Sequence, residues 1–247
     1  MAERIAKRLA HAGVASRREA ERLIEQGRVS VNGTHLDSPA VTVEPDDVVM
    51  VDGERIGEKP ALRLWRLYKT EGAVVTRKDE RGRKTVFDLL PEDVRHVVAV
   101  GRLDMNTEGL LLMTNDGELA RWLELPETGW ARRYRVRVYG RPNEEMLAKL
   151  KAGMTVDGIR YGSVEATIDS QTGANAWMTV TIREGKNREI RNLMDALELS
   201  VNRLLRTAYG PFQLGALKRG KCEEVTGKVL KEQLGGQWVE RIQKARR

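Results

Sequence analysis

Residues 96–117, HVVAVGRLDMNTEGLLLMTNDG, decide how the rest of the chain is read. Two apolar runs, residues 97–100 and 110–113, each have the length of a buried strand, and a polar hinge with a glycine at either end separates them. The hinge contains one arginine and one aspartate, Arg102 and Asp104. A carboxylate held at a strand end takes its properties from its surroundings, because apolar walls disfavour its charge and a nearby guanidinium favours it. Ionised and partly desolvated, it is a competent nucleophile. By spacing alone, Asp104 also reads as an aspartate that shapes or caps a turn, which is the commoner use of the residue.

Downstream, residues 133–139 (RYRVRVY) alternate strictly, placing Tyr134, Val136 and Val138 on one face and the arginines on the other. Met178, Val180 and Ile182 mark another strand, which leads into residues 183–191 (REGKNREIR) and then a helix with Ile190, Leu193, Met194 and Leu197 as its buried stripe. Arg188 and Arg191, three apart, share a neighbouring helix face. The loop with Gly185 and Lys186 meets the helix amino terminus, an arrangement suited to phosphate. Residues 201–210 (VNRLLRTAYG) read as a closing strand, whose Arg203 and Arg206 meet phosphates or stand solvated beside the core. Short strands with occasional helices, without regular alternation, argue for an α+β fold around a central antiparallel or mixed sheet.

Upstream, the first 56 residues read as a small module. Ile5, Leu9 and Ala12 fall at helical spacing before Gly13, and Ser16-Arg17-Arg18-Glu19 has the form of a reciprocal capping box that opens a second helix with Ala20, Leu23 and Ile24 buried. Brief strands follow around residues 29–31, 41–43 and 48–51, with Asn32-Gly33 and Asp52-Gly53 as hairpin turns. Residues 1–30 carry seven basic residues against four acidic ones, whereas residues 31–60 carry two against seven, so the helices are the cationic side. Arg4, Lys7 and Arg8 share one side of the first helix, and Arg17, Arg18 and Arg22 cluster at the start of the second. They form a backbone-binding surface or a set of solvated helix faces. The polar joint Gly57-Glu58-Lys59-Pro60 sets the boundaries: a module at 1–56, a linker at 57–61, a larger domain at 62–230 and a basic tail at 231–247.

Composition narrows the class. The 247 residues include 43 Lys and Arg against 36 Asp and Glu, and 40% are hydrophobic, enough to bury a core. A net charge of +7 suits a polyanionic partner. The single cysteine, Cys222, excludes an internal disulfide, and His11, His35 and His96 are too far apart for local zinc-ligand spacing, so no metal is expected. No uncharged apolar run of about 18 residues occurs and the start is unlike a signal peptide, which predicts a cytoplasmic protein without membrane contact.

Two stretches carry a family resemblance. Residues 15–33 (ASRREAERLIEQGRVSVNG) resemble the RNA-binding module first named for the small-subunit ribosomal protein S-four, and residues 101–117 (GRLDMNTEGLLLMTNDG) are similar to the signature of the RsuA/RluB branch of pseudouridine synthases. The resemblance implies that a uridine is detached from its ribose at N1, turned and rejoined through C5, with Asp104 as the catalytic carboxylate and no cofactor. The acid either adds to the ribose C1′ or assists a glycal route. It further implies Tyr134 stacked on the base, Leu204 beneath it, Arg102 orienting the hinge and Lys186 and Arg188 on the substrate. Residues 184–194 (EGKNREIRNLM) resemble the family's late motif, which makes Arg191 the ion-pair partner of Asp104. The implied partner is ribosomal RNA or a ribosomal assembly intermediate, of the large-subunit type, met by a monomer. A non-catalytic rRNA-binding assembly factor on the same scaffold is the alternative. For the enzyme, the target base must leave its stack to reach the acid, at a cost of a few kcal/mol.

Overall fold

The computed structural model of the chain describes residues 2–57 and 60–245. In the first stretch, helices α1 (Ile5–His11) and α2 (Arg17–Glu25) lay Ile5, Leu9, Ala20, Leu23 and Ile24 against Val29, Val43 and Val49, a small core of their own. Ser16 caps α2 by accepting the amide of Glu19 at 3.3 Å, while the Glu19 carboxylate turns to Arg22 instead of completing the reciprocal box. Strands β1 (Val29–Val31) and β2 (Val49–Val51) pair antiparallel, flanked by the short strands Thr34–His35 and Glu54–Arg55. Asn32 and Gly33 have φ of 50 and 83°, and Asp52 and Gly53 of 53 and 82°, the left-handed pair that a tight hairpin requires. Arg4 lies outside α1, in the extended pair that Glu3–Arg4 makes with Thr42–Val43, so it does not share the helix side of Lys7 and Arg8.

A nine-stranded sheet organises the larger part of the chain. Its members are β3 (Leu64–Lys69), β4 (Val98–Val100), β5 (Glu108–Thr114), β6 (Arg132–Tyr139), β7 (Glu165–Thr172), β8 (Asn175–Ile182), β9 (Ser200–Tyr209), β10 (Phe212–Gln213) and β11 (Cys222–Val225). The order is β7-β8-β6-β9-β5-β3-β11, with β4 beside β5 and β10 beside β9. Every pairing is antiparallel except that of β5 with β9, where Glu108 lies opposite Leu205 and Gly109 opposite Arg206. Because this one pair is parallel, the loop entering β5 runs alongside the first half of β9. Gly109 makes the junction possible: its φ is +105°, and a Cβ there would lie 2.3 Å from the Arg206 carbonyl oxygen.

All of β5 is buried, and its two faces feed different cores. Leu111 and Met113 join Trp65, Leu67 and Val97 on one side, and Leu110 and Leu112 join Leu64 and Tyr68 on the other. Helices α4 (Glu144–Ala152) and α5 (Glu189–Ala196) cover the first side, where β6 and β8 present Tyr134, Val136, Val138, Met178 and Val180. Helix α3 (Gly117–Glu124), capped by Asp116, covers the second side together with α6 (Gly227–Ala245). Helix α6 runs across the point where the sequence reading begins its tail. Leu230, Leu234 and Trp238 are buried, with Trp238 tilted against Trp122, while Gly235 kinks the helix at φ 63°. Burial of one leucine contributes about 1.5–3 kcal/mol, more than the ~1 kcal/mol that one helical glycine costs, so packing holds a segment of weak helical propensity. Residues 246 and 247, and the side chains of the basic stretch before them, lie outside the described residues. No helix among the described residues is long and apolar enough to cross a membrane.

Candidate active site

The hinge between β4 and β5 is held through its backbone. Thr107 donates its amide to the Asp104 carbonyl at 3.0 Å, and Gly72 donates to the Met105 carbonyl at 2.9 Å. Lys69, at the end of β3 and fully buried, donates from Nζ to the carbonyls of Thr107 at 2.7 Å, Thr70 at 3.1 Å and Met105 at 3.2 Å. Arg191 reaches in from α5 and donates to the Asn106 carbonyl at 2.8 Å. Each carbonyl from Asp104 to Thr107 therefore has a donor, which fixes the backbone and leaves the Asp104 side chain to project.

That side chain opens into a cleft of about 320 Å³ lined by residues of the hinge, β6, β9 and the loop before α5. Asp104 retains 38% of its side-chain exposure, and Arg188 Nη1 lies 4.0 Å from its carboxylate. Tyr134 and Leu204, both about 95% buried, form an apolar wall; they sit diagonally across the β6–β9 pair, Tyr134 opposite Arg206 and Leu204 opposite Val136. Arg102, Arg132, Lys186 and Arg206 add cationic surface. Such a cleft can take a neutral planar ring on its apolar wall and anionic groups beside its arginines.

The RNA pseudouridylate synthase family matches residues 63–196, and the S4 domain matches residues 3–49. The chain belongs to the RNA pseudouridylate synthase family. An uncharacterized RNA pseudouridine synthase of Rickettsia bellii is 44% identical over 229 residues, 93% of this chain and 99% of the relative. The ribosomal large subunit pseudouridine synthase B of Salmonella typhi is 42% identical over 233 residues, 91% of this chain and 80% of the relative. A crystal structure of a pseudouridylate synthase superposes with a TM-score of 0.67 at 23% identity, over 94% of this chain and 99% of that one, and supports the fold.

The synthase brings Asp104, Tyr134, Arg102, Lys186, Arg188 and Leu204 to one cleft, but it divides their duties differently from the sequence reading. Arg188 is the cation within 4.0 Å of the Asp104 carboxylate, while Arg191 feels its charge without an ion pair among the described residues. It is not on a helix face with Arg191: it precedes α5 in a left-handed conformation, φ 49°, and so projects from the loop. Arg191 is half-buried and bonds the hinge and the Val201 carbonyl, and its burial pulls the guanidinium below its ordinary range while the charge of Asp104 opposes that. The loop that the sequence suggests for phosphate is also partly occupied from within. Glu189 accepts the Lys186 amide at 3.0 Å, and the Lys186 ammonium is bonded to Glu184. Arg203 and Arg206 both have protein partners, and only Arg206 is buried. Arg203 donates to Glu108 at 2.5 Å, and Arg206, 2% exposed, donates to the Leu110 carbonyl at 2.7 Å with Nη2 left unpartnered.

Three groups of the synthase site, Lys69 and Glu189 buried and Arg132 half-buried, escaped the sequence reading. Lys69 is pulled down to about 8 by burial, against the charges of Asp104, Glu71 and Glu108. Glu189 lines the cleft at 3% exposure with Oε1 unpartnered, and burial, reinforced by the charge of Glu184, pushes it up to about 7. Arg132 bridges the Tyr209 hydroxyl at 2.9 Å and the Glu184 carbonyl at 3.2 Å, closing the far wall. For Lys69 a signal existed, since the period of two that buries Trp65 and Leu67 continues onto it. In the S4 module, Lys7 is engaged by Glu118, Arg8 faces Glu3 at 3.9 Å and Arg22 faces Glu19 at 3.3 Å, whereas Arg17 and Arg18 stand exposed at the start of α2.

Proposed function

We propose that Asp104 acts on a uridine extruded from ribosomal RNA, of the large subunit, and that Tyr134 stacks on its uracil above Leu204. What carries this reading is the Asp104 carboxylate projecting from a fully tied hinge into a cleft that joins an apolar wall to arginines. The wall would receive the ring, and Arg102, Arg188 and Lys186 would meet the flanking phosphates. Arg188, 4.0 Å away, favours the ionised carboxylate that either adds to C1′ or supports the glycal. The C1′–N1 bond breaks and C1′–C5 forms; the proton on C5 leaves to solvent and N1 gains one, so the atoms balance without an added reagent. The Tyr134 hydroxyl is placed to take part in that transfer. Arg191 and Lys69 act through the hinge as positioning residues.

The choice of large-subunit rRNA is supported by the relative from Salmonella typhi, 42% identical and named for that substrate. The module at 1–56, with Arg4, Lys7, Arg8, Arg17, Arg18 and Arg22, would hold structured RNA while the domain at 62–230 modifies it. The same reading makes the protein a cytoplasmic monomer that meets rRNA or an assembly intermediate. Tritium release from rRNA labelled at uracil carbon five, prepared from cells without the protein, tests it. The native chain is expected to release label and Asp104→Asn to release none. If neither releases label while both bind, the catalytic role of Asp104 is wrong.

A further inference from the structure

The arginine side of β6 is the one sequence motif that the cleft leaves unused. Tyr134, Val136 and Val138 point to the core under α4 and α5, so Arg133, Arg135, Arg137 and Tyr139 stand exposed on the opposite face of the sheet. The register widens this face: Arg137 lies between Trp177 of β8 and Arg203 of β9. The Arg135 guanidinium sits over the Trp177 ring at 4.7 Å from its centroid, and that of Arg203 at 5.9 Å. A guanidinium resting on an indole is held in place with N–H groups free at its edge, the form in which arginine takes up a phosphate.

Charge points the same way. Arg135 faces Asp169 at 3.8 Å, Arg203 and Arg219 share Glu108, and Glu165 is engaged by Arg183 at 3.7 Å. Arg133 and Arg137 make no ion pair among the described residues, so the face keeps a positive excess. Same-face residues of a strand recur every ~7 Å, close to the repeat of phosphates along a nucleic-acid strand. Because Trp177 is already covered by guanidinium groups, the face suits a sugar–phosphate backbone better than unstacked bases.

We propose that this arginine–tryptophan face is a second RNA-binding surface, which grips phosphates of the substrate RNA outside the segment that enters the cleft. The proposal rests on RNA being the substrate, and it adds a contact on the far side of the sheet from Asp104. It predicts that this face adds sequence-independent, salt-sensitive affinity for long RNA and adds none for a hairpin that only fills the cleft.

The test compares the native chain with Arg133→Gln/Arg135→Gln/Arg137→Gln, none of which lines the cleft. Filter binding of a large-subunit rRNA transcript across a salt series is read beside tritium release from a short hairpin containing the target uridine. The variant is expected to lower the slope of log Kd against log salt by about two, at ~0.7–0.9 for each phosphate no longer neutralised, with hairpin turnover unchanged. Arg137→Glu, at an exposed position that makes no ion pair among the described residues, is expected to weaken transcript binding alone. Transcript affinity and slope equal to the native values in both variants would overturn the proposal. Absence of hairpin turnover in the native chain would count against the cleft reading instead, and the binding arm is read independently of it.

Discussion

Arg191 donates to the carbonyl of Asn106, at 2.8 Å, and so holds the backbone that carries Asp104 in place of the carboxylate itself. Its other arm reaches the Val201 carbonyl at 3.3 Å, which ties the hinge to the start of β9. A lysine has no planar fork and cannot span both carbonyls. Arg191→Lys is therefore expected to lower kcat by about 10- to 100-fold, the cost of small misplacements of a reacting group, while KM for RNA stays close to native. Single-turnover rates on a labelled transcript read this directly, and an unchanged rate would show that the Asn106 contact carries no positioning.

Lys69 gives the hinge a dependence on pH. Its ammonium has three protons for three carbonyls, and loss of one proton removes one of these three bonds to the hinge and its neighbour Thr70. With the group pulled down to about 8, the single-turnover rate is expected to fall on the basic side with an apparent pKa near that value. Stability moves the other way. The unfolded chain keeps this proton up to the ordinary lysine range, so between about pH 8 and 10.5 the unfolded state binds more protons, and the Lys69 contribution to folding rises with pH. Opposite trends of rate and melting temperature across that window are the signature; a rate that stays flat there removes Lys69 from the account.

Much of this was legible in the sequence, because its strongest signals are local. The two hairpin turns, the alternation that buries Tyr134 and the stripe of α5 all follow from period and turn chemistry, and the structure reproduces them. The hinge aspartate was visible as a polar break between apolar runs, and the family resemblance raised it above an ordinary turn residue. What stayed hidden depends on contacts between distant segments. Arg188 and Arg191 look alike at three-residue spacing, and only the left-handed backbone of Arg188 sends one to Asp104 and the other to the hinge. Arg203 and Arg206 read as phosphate ligands or as solvated side chains because nothing nearby announces Glu108 or the Leu110 carbonyl as their partners across the sheet.

Glu189 is held in the cleft wall at a cost to folding. Its carboxyl titrates at about 7 in the folded protein against 4.5 as a free side chain, because burial disfavours its charge. Between those values the folded state binds more protons than the unfolded one, so stability falls as pH rises through the window and is flat above it. Glu189→Gln keeps an acceptor for the Lys186 amide and removes the charge. The variant is expected to be more stable than the native chain at pH 8, by on the order of 1 kcal/mol once the opposite shift of Glu184 is allowed for, and the gap closes below about pH 4.5. Denaturant melts at the two ends of the range measure it; a gap independent of pH would mean that packing, not charge, separates the two proteins.

Gly109 and Gly101 flank the hinge, both at positive φ, and the difference between them tests how the site is assembled. At Gly101, φ +66°, the nearest atom to an added Cβ is the flexible Glu124 Cγ at 3.9 Å, so Gly101→Ala costs only the left-handed conformation, ~1–2 kcal/mol. At Gly109, φ +105°, the added carbon meets the Arg206 carbonyl oxygen at 2.3 Å and its nitrogen at 2.8 Å, backbone that cannot swing aside. The parallel β5–β9 junction must open, and with it the placement of the Asp104 loop beside Leu204. Gly109→Ala is expected to cost at least ~3 kcal/mol and to lower Tm by about 6–12 °C. It should also lose tritium release at temperatures where it remains folded, whereas Gly101→Ala keeps most of it. Equal losses in the two variants would show that the close pairing of β5 and β9 is not what sets Asp104 against the cleft.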